Sequence, residues 1–174
     1  MGSGKKLLLI AGILTLLATF VFSWSTFAFG EIHYLYGVGG IYNAIDIFTQ
    51  GPKYYSSHLG LPEWAIYIIA IVVIWLVASG FIQILGRKSR KAGIIGSIIP
   101  LLVGLIILLN VLGIPFTGGF MRIFHVFGAS EPVIEGLIPL HIVIPGRVEA
   151  FGLYLLLAGG ILGLIGAKKN KSEY

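Results

Sequence analysis

Four long apolar stretches decide what this chain can become. They run over about residues 7–29, 64–85, 94–114 and 148–166, each about 19–23 residues long. A helix of about 20 apolar residues crosses a hydrocarbon core of about 30 Å. In lipid the backbone must satisfy its own polar groups, and a helix does so within one segment. The 174 residues therefore read as an all-α integral membrane protein, a four-helix transmembrane bundle in a single domain, 1–174. Composition agrees: 57% of residues are hydrophobic and 11% are charged, against about 25% charged in soluble domains. That balance excludes a soluble globular enzyme and a disordered chain.

Local signals bound the stretches. Pro62 and Glu63 open the second, proline being preset for a helix start and an acid favouring the N-terminal dipole. Pro115 closes the third, and Pro100 inside it is expected to kink it. The first stretch, with Lys5 and Lys6 before it and Thr26-Phe27-Ala28 near its end, has parts of a secretory signal. Its apolar length exceeds that of a signal core, so it is read as a span.

Basic residues set the expected orientation. Lys5, Lys6, Arg87, Lys88, Arg90, Lys91, Lys168, Lys169 and Lys171 fall on one side; Lys53, Arg122 and Arg147 fall on the other. Nine against three is a positive-inside signal, which puts both termini and the loop 86–93 in the cytoplasm. Six acids, Glu31, Asp46, Glu63, Glu131, Glu135 and Glu149, lie on the opposite side or at its interface. The net charge of +5 thus reflects topology and contact with anionic lipid, with no nucleic-acid partner implied. The expected location is the cell (plasma) membrane, multi-pass, with two larger extracytoplasmic segments.

Those segments, about 30–63 and 115–146, are too long for simple turns. Ile41, Ala44, Ile45 and Phe48 at helical spacing predict a short amphipathic helix on the membrane or on the bundle. The run from Tyr34 to Tyr42 suits a strand pair or a loop, and His141–Ile144 between prolines suits a short strand. The expectation is a small extracytoplasmic cap of short helices with room for a small β-sheet, built from the 1–2 and 3–4 loops. Phe116, Phe120, Phe124 and Phe127 share one helical face, and tyrosines and tryptophans crowd toward the same side. Part of this is the aromatic belt of a membrane interface. The surplus marks a contact surface, since Tyr and Trp are enriched at protein interfaces. Tyr34, Tyr36, Phe120 and Phe124 are its candidate contact residues.

Chemistry-bearing residues are sparse in the spans. Gln83 and Asn110 lie near span ends, Arg147 and Glu149 open the fourth, and no acid sits at mid-membrane. Intramembrane charge is the usual mark of a transport or proton path, so an ion-coupled transporter is disfavoured. Gly159 and Gly163 form a GxxxG face for close helix packing. With no cysteine, disulfides, thiolate metal sites and CxxC redox chemistry are excluded. The four histidines, His33, His58, His125 and His141, all lie in the extracytoplasmic segments. Imidazole ligates transition metals, so these are the candidate metal ligands if the segments converge. No two of them show HxH, HxxxH or HExxH spacing, and each reads equally as a structural histidine. No cofactor is predicted beyond such a metal.

In layout alone the chain resembles claudin-type and tetraspanin-type proteins. Tyr36-Gly-Val-Gly-Gly-Ile-Tyr stands where claudin-type first loops carry Gly-Leu-Trp and paired cysteines, and the Cys-Cys-Gly of tetraspanin-type loops is missing. Layout does not fix function. The leading expectation is a non-enzymatic protein acting through its outer face in protein–protein contact or membrane assembly. Its partners would be lipid, other membrane chains or a second copy. The alternatives are an accessory subunit of a larger respiratory or oxidising membrane complex, and a metal-binding enzyme or oligomeric channel.

Overall fold

The structure, a computed structural model, describes residues 2–29, 31–50, 52–114, 128–129, 133–134, 137–143 and 149–170. Four of its helices are long and apolar enough to cross a membrane: α1 (Ser3–Phe20), α4 (Glu63–Leu85), α5 (Arg90–Val111) and α6 (Phe151–Lys169). Between α1 and α4 come β1 (Ser25–Phe29), β2 (Glu31–Leu35), α2 (Gly37–Gln50) and α3 (Lys53–Leu59). A two-residue strand, β3 (Gly128–Ala129), follows α5. The strands form one antiparallel sheet in the order β1-β2-β3, with Ser25 opposite Leu35, Phe29 opposite Glu31 and Tyr34 opposite Ala129.

Helix ends follow local chemistry. Pro62 precedes α4 with extended backbone, and Glu63 occupies its first turn. The Ser89 side chain caps α5, accepting from the Ala92 amide at 3.5 Å. Lys168 and Lys169 lie in the last turn of α6, where cations favour the dipole. Gly60, at φ 66°, ends α3 in the left-handed region that glycine enters without steric cost. Pro100 lies within α5 without ending it.

The first span differs from its expected extent. Helix α1 stops at Phe20, and Ser25–Phe29, expected to be helical, is a strand. The cause is local. The Trp24 indole N–H donates to the Ala18 carbonyl at 2.7 Å, occupying one of the helix's terminal acceptors. The Trp24 amide meanwhile donates to Leu35 O, also at 2.7 Å, which starts the sheet. β-Branched and aromatic residues in Ser-Thr-Phe-Ala-Phe suit a strand.

The four spans form a closed ring of neighbours, in which α6 and α4 each touch both α1 and α5. We call the end carrying the sheet the cap end and the end carrying the α4–α5 turn the loop end. At the loop end the Asn170 amide donates to Gly86 O at 2.8 Å, tying the end of α6 to that turn. At the cap end one apolar core joins span residues Ile66, Ile69, Ala70, Val73, Val103, Ile107, Leu153 and Leu156 to Trp24, Leu35, Ala44 and Ile47. Strand and helix of the cap are therefore continuous with the bundle's own core.

Candidate functional site

The chain between α1 and β1 is the junction of the cap end. Ser23 and Trp24 are both fully buried. The Ser23 amide donates to Leu140 O at 3.2 Å and the Leu140 amide to Val21 O at 2.7 Å. The Ala150 amide donates to Trp24 O at 2.9 Å, and the Gly152 amide to Ser23 O at 3.1 Å. Ser25 pairs with Glu149 across an isolated bridge. Two distant parts of the sequence are thus sewn onto the end of α1.

Side chains add a polar cluster to this seam. Ser23 Oγ lies 2.7 Å from His141 Nδ1. The Tyr34 ring meets the His141 ring edge-on, with centroids 5.1 Å apart. Burial disfavours the imidazolium and lowers the His141 pKa below its ordinary value. At neutral pH the ring is accordingly uncharged, and Nδ1 can accept the Ser23 hydroxyl proton as a hydrogen bond. Glu149 is 2% exposed, and the Tyr154 hydroxyl donates to its Oε1 at 3.1 Å.

A serine hydroxyl against an imidazole is the arrangement that activates a nucleophile. Here the serine has no exposed surface, so a substrate has no approach to it. What this geometry does chemically is clamp: it fixes the segment around His141 to the end of α1 and to β2.

The predicted metal ligands divide. His33 is on β2, in register with Phe27, and His141 is bonded to Ser23. The side chain of His58, on α3, and all of His125 lie outside the described residues. Among the described residues no three His, Asp or Glu side chains come together as a metal-binding group.

The predicted contact residues divide too. Tyr34 is half-buried against His141. Tyr36 is 1% exposed, so its ring fills the core and offers no surface to a partner. Phe120 and Phe124 lie outside the described residues. Instead, Val133, Ile134, Leu137, Ile142 and Val143 are exposed, Leu137 and Ile142 by 53% each. Sequence reasoning missed Ser23 and this aliphatic group. The signal for the first was Ser23-Trp24-Ser25-Thr26, a polar interruption in an otherwise apolar run.

Gly159 and Gly163 face the bundle interior. A Cβ at Gly159 would collide with Thr15 Oγ1 on α1, and one at Gly163 with Ser97 Oγ on α5. Beside them the Gln83 amide donates to Gly159 O at 3.2 Å and to Ser97 Oγ at 3.3 Å. All four spans meet at this buried polar knot.

Comparisons with known protein families, with characterised proteins and with solved structures give no match to this chain.

Proposed function

We propose that this chain is a non-enzymatic four-span membrane protein that works through its cap, in contact with other membrane chains or with a second copy of itself. The observation that supports this reading is the aliphatic group Val133, Ile134, Leu137, Ile142 and Val143. It is held outward on a backbone that the Leu140 and Ile142 bonds anchor to α1 and α6. Exposed apolar side chains on an anchored backbone outside the spans mark a candidate interaction site. Tyr34 borders the group through His141, and Phe120 and Phe124 join it as proposed contacts.

The orientation belongs to the same proposal. The nine-to-three distribution of basic residues favours termini and loop 86–93 in the cytoplasm and the cap outside, in the cell membrane.

Photo-crosslinking tests the reading. A photoreactive residue is placed at Leu137 or Ile142, with Ile74 in mid-span as the control. The expected result is a discrete chain-to-chain adduct, of dimer mass or with one partner, from the cap positions and not from the control. Lipid adducts alone from all three positions would sink the proposal.

A further inference from the structure

Helix α2 was expected to lie on the membrane or on the bundle, and its packing shows three distinct sides. At about 100° per residue, Gly40, Ala44 and Ile47 share one side, Ile41, Ile45 and Phe48 the next, and Asn43 and Asp46 a third. Burial follows that division. Ala44 and Ile47 are 2% and 0% exposed, whereas Ile45 and Phe48 are 53% and 51% exposed.

The buried side joins α2 to the cap-end part of α4. Ala44 and Ile47 belong to the same core as Ile66, Ile69, Ala70 and Val73 of α4, against which α2 packs. Those residues lie three to ten positions inside a helix that begins at Glu63. At about 1.5 Å per residue, that is about 5–15 Å along the span from its cap end. Phe48 gives the most direct tie, its ring 5.9 Å from that of Tyr67, about 6 Å along the span from the start of α4.

The exposed side then has a neighbour. Tyr67, Ile68, Ile71 and Ile74 are the exposed stripe of a helix apolar enough to span a membrane. Phe48, whose ring meets Tyr67, extends that stripe sideways, and Ile45 lies about one turn before it on the same side of α2. Trp64, 66% exposed, is the second residue of α4, and Tyr54, 61% exposed, is on α3, which packs against α4; amphipathic rings there suit the headgroup level.

We propose that α2 is seated within the leaflet at the cap end, with Ile45 and Phe48 in contact with acyl chains and Trp64 and Tyr54 at the headgroups. The cap would then be an in-plane extension of the bundle, binding lipid through a fifth helix that does not cross the membrane. This rests on the four spans and not on the proposed partner contact.

The cysteine-free chain allows a direct test, because any introduced cysteine is unique. Ile45→Cys and Phe48→Cys are spin-labelled in the full chain in phosphatidylcholine vesicles, beside Ile74→Cys as the lipid reference and Lys53→Cys as the water reference. Collision with dissolved oxygen and with a water-soluble nickel chelate is then measured. All four sites are exposed, so no core contact is removed. The expected result is that positions 45 and 48 fall on the lipid side of the two references, with oxygen collision above and chelate collision well below those at Lys53. Chelate collision equal to that at Lys53 would overturn the proposal by placing α2 in water. Low collision with both reagents would overturn it equally, by showing a protein chain, not lipid, over that face.

Discussion

The two ends of this bundle differ in what fills them, although glycine allows close approach at both: at the cap end a Cβ at Gly152 would collide with Ser23 O and one at Gly37 with Thr19. Toward the loop end, helices meet through glycine. A Cβ at Gly12 would fall 2.7 Å from Gly80 O, one at Gly96 2.8 Å from the Gln83 backbone nitrogen, and one at Gly4 2.6 Å from the Asn170 backbone nitrogen. Toward the cap end the interior is filled by bulk: Trp24, Tyr36, Leu35, Ile47 and Ile66 are all under 2% exposed. The contrast follows from what each end must hold. Between helices in lipid the hydrophobic effect is absent, and close backbone approach supplies van der Waals contact. At the cap end a sheet and α2 must be joined to the spans, and large side chains bridge the added elements.

This contrast predicts opposite responses to volume. The largest effect is expected from Trp24→Ala. It empties the cap core and removes the hydrogen bond that ends α1, at a cost of about 3–5 kcal/mol. Reversible unfolding in mixed micelles measures it, and a cost below that of a surface substitution would break the comparison. Next comes Gly163→Leu, which adds volume where Ser97 and Gln83 already touch the glycine. Overpacking of about 1–3 kcal/mol or more is expected. The same unfolding assay would contradict the account if this variant were as stable as the parent.

A smaller, pH-dependent effect should be confined to the cap end. Burial holds the His141 pKa below its ordinary value, so the unfolded cap takes up the proton more readily. Cap stability is therefore full above the ordinary histidine value of about 6.5 and declines as pH falls below it toward the lowered value. Amide exchange of Leu140 and Gly152 should quicken on mild acidification, after correction for intrinsic rates, while that of Val103 does not. The smallest effect is expected from Gln83→Met. Gln83 Oε1 is buried with no hydrogen-bond partner, so removing the amide relieves one cost while losing two bonds. An interhelical hydrogen bond in lipid is worth about 0.6 kcal/mol on average, so stability should change by less than about 1 kcal/mol. A much larger loss in the unfolding assay would make the polar knot, rather than glycine contact, the main fastening of the loop end.

The two ends also differed in how readily they were read. Span number came from length and hydropathy alone, because lipid imposes one rule on every spanning residue. Glycine packing at Gly159 and Gly163 was marked by spacing, and α2 by the period of Ile41, Ala44, Ile45 and Phe48. The end of α1 was not read, because Phe27, Ala28 and Phe29 are as apolar in a strand as in a helix. Trp24, through a bond to Ala18 and another to Leu35, helps decide between the two, with the bonds of Val21 and Ser23 to Leu140 beside it. The Ser23–His141 clamp was equally hidden, since its partners lie 118 positions apart. Tyr36 shows the same limit: a tyrosine before a glycine-rich run gives no sign that it is core.

The proposed orientation puts the cap outside and the α4–α5 turn in the cytoplasm, as the distribution of basic residues favours. Thiol labelling tests it most directly. Ser57→Cys in α3 and Ser89→Cys in the α4–α5 turn are expressed singly in whole cells and treated with a membrane-impermeant maleimide. Labelling of position 57 in intact cells, and of position 89 only after permeabilisation, is the predicted result. Labelling of position 89 in intact cells, with position 57 protected, would invert the molecule and remove the cap from the surface on which the proposed contacts depend.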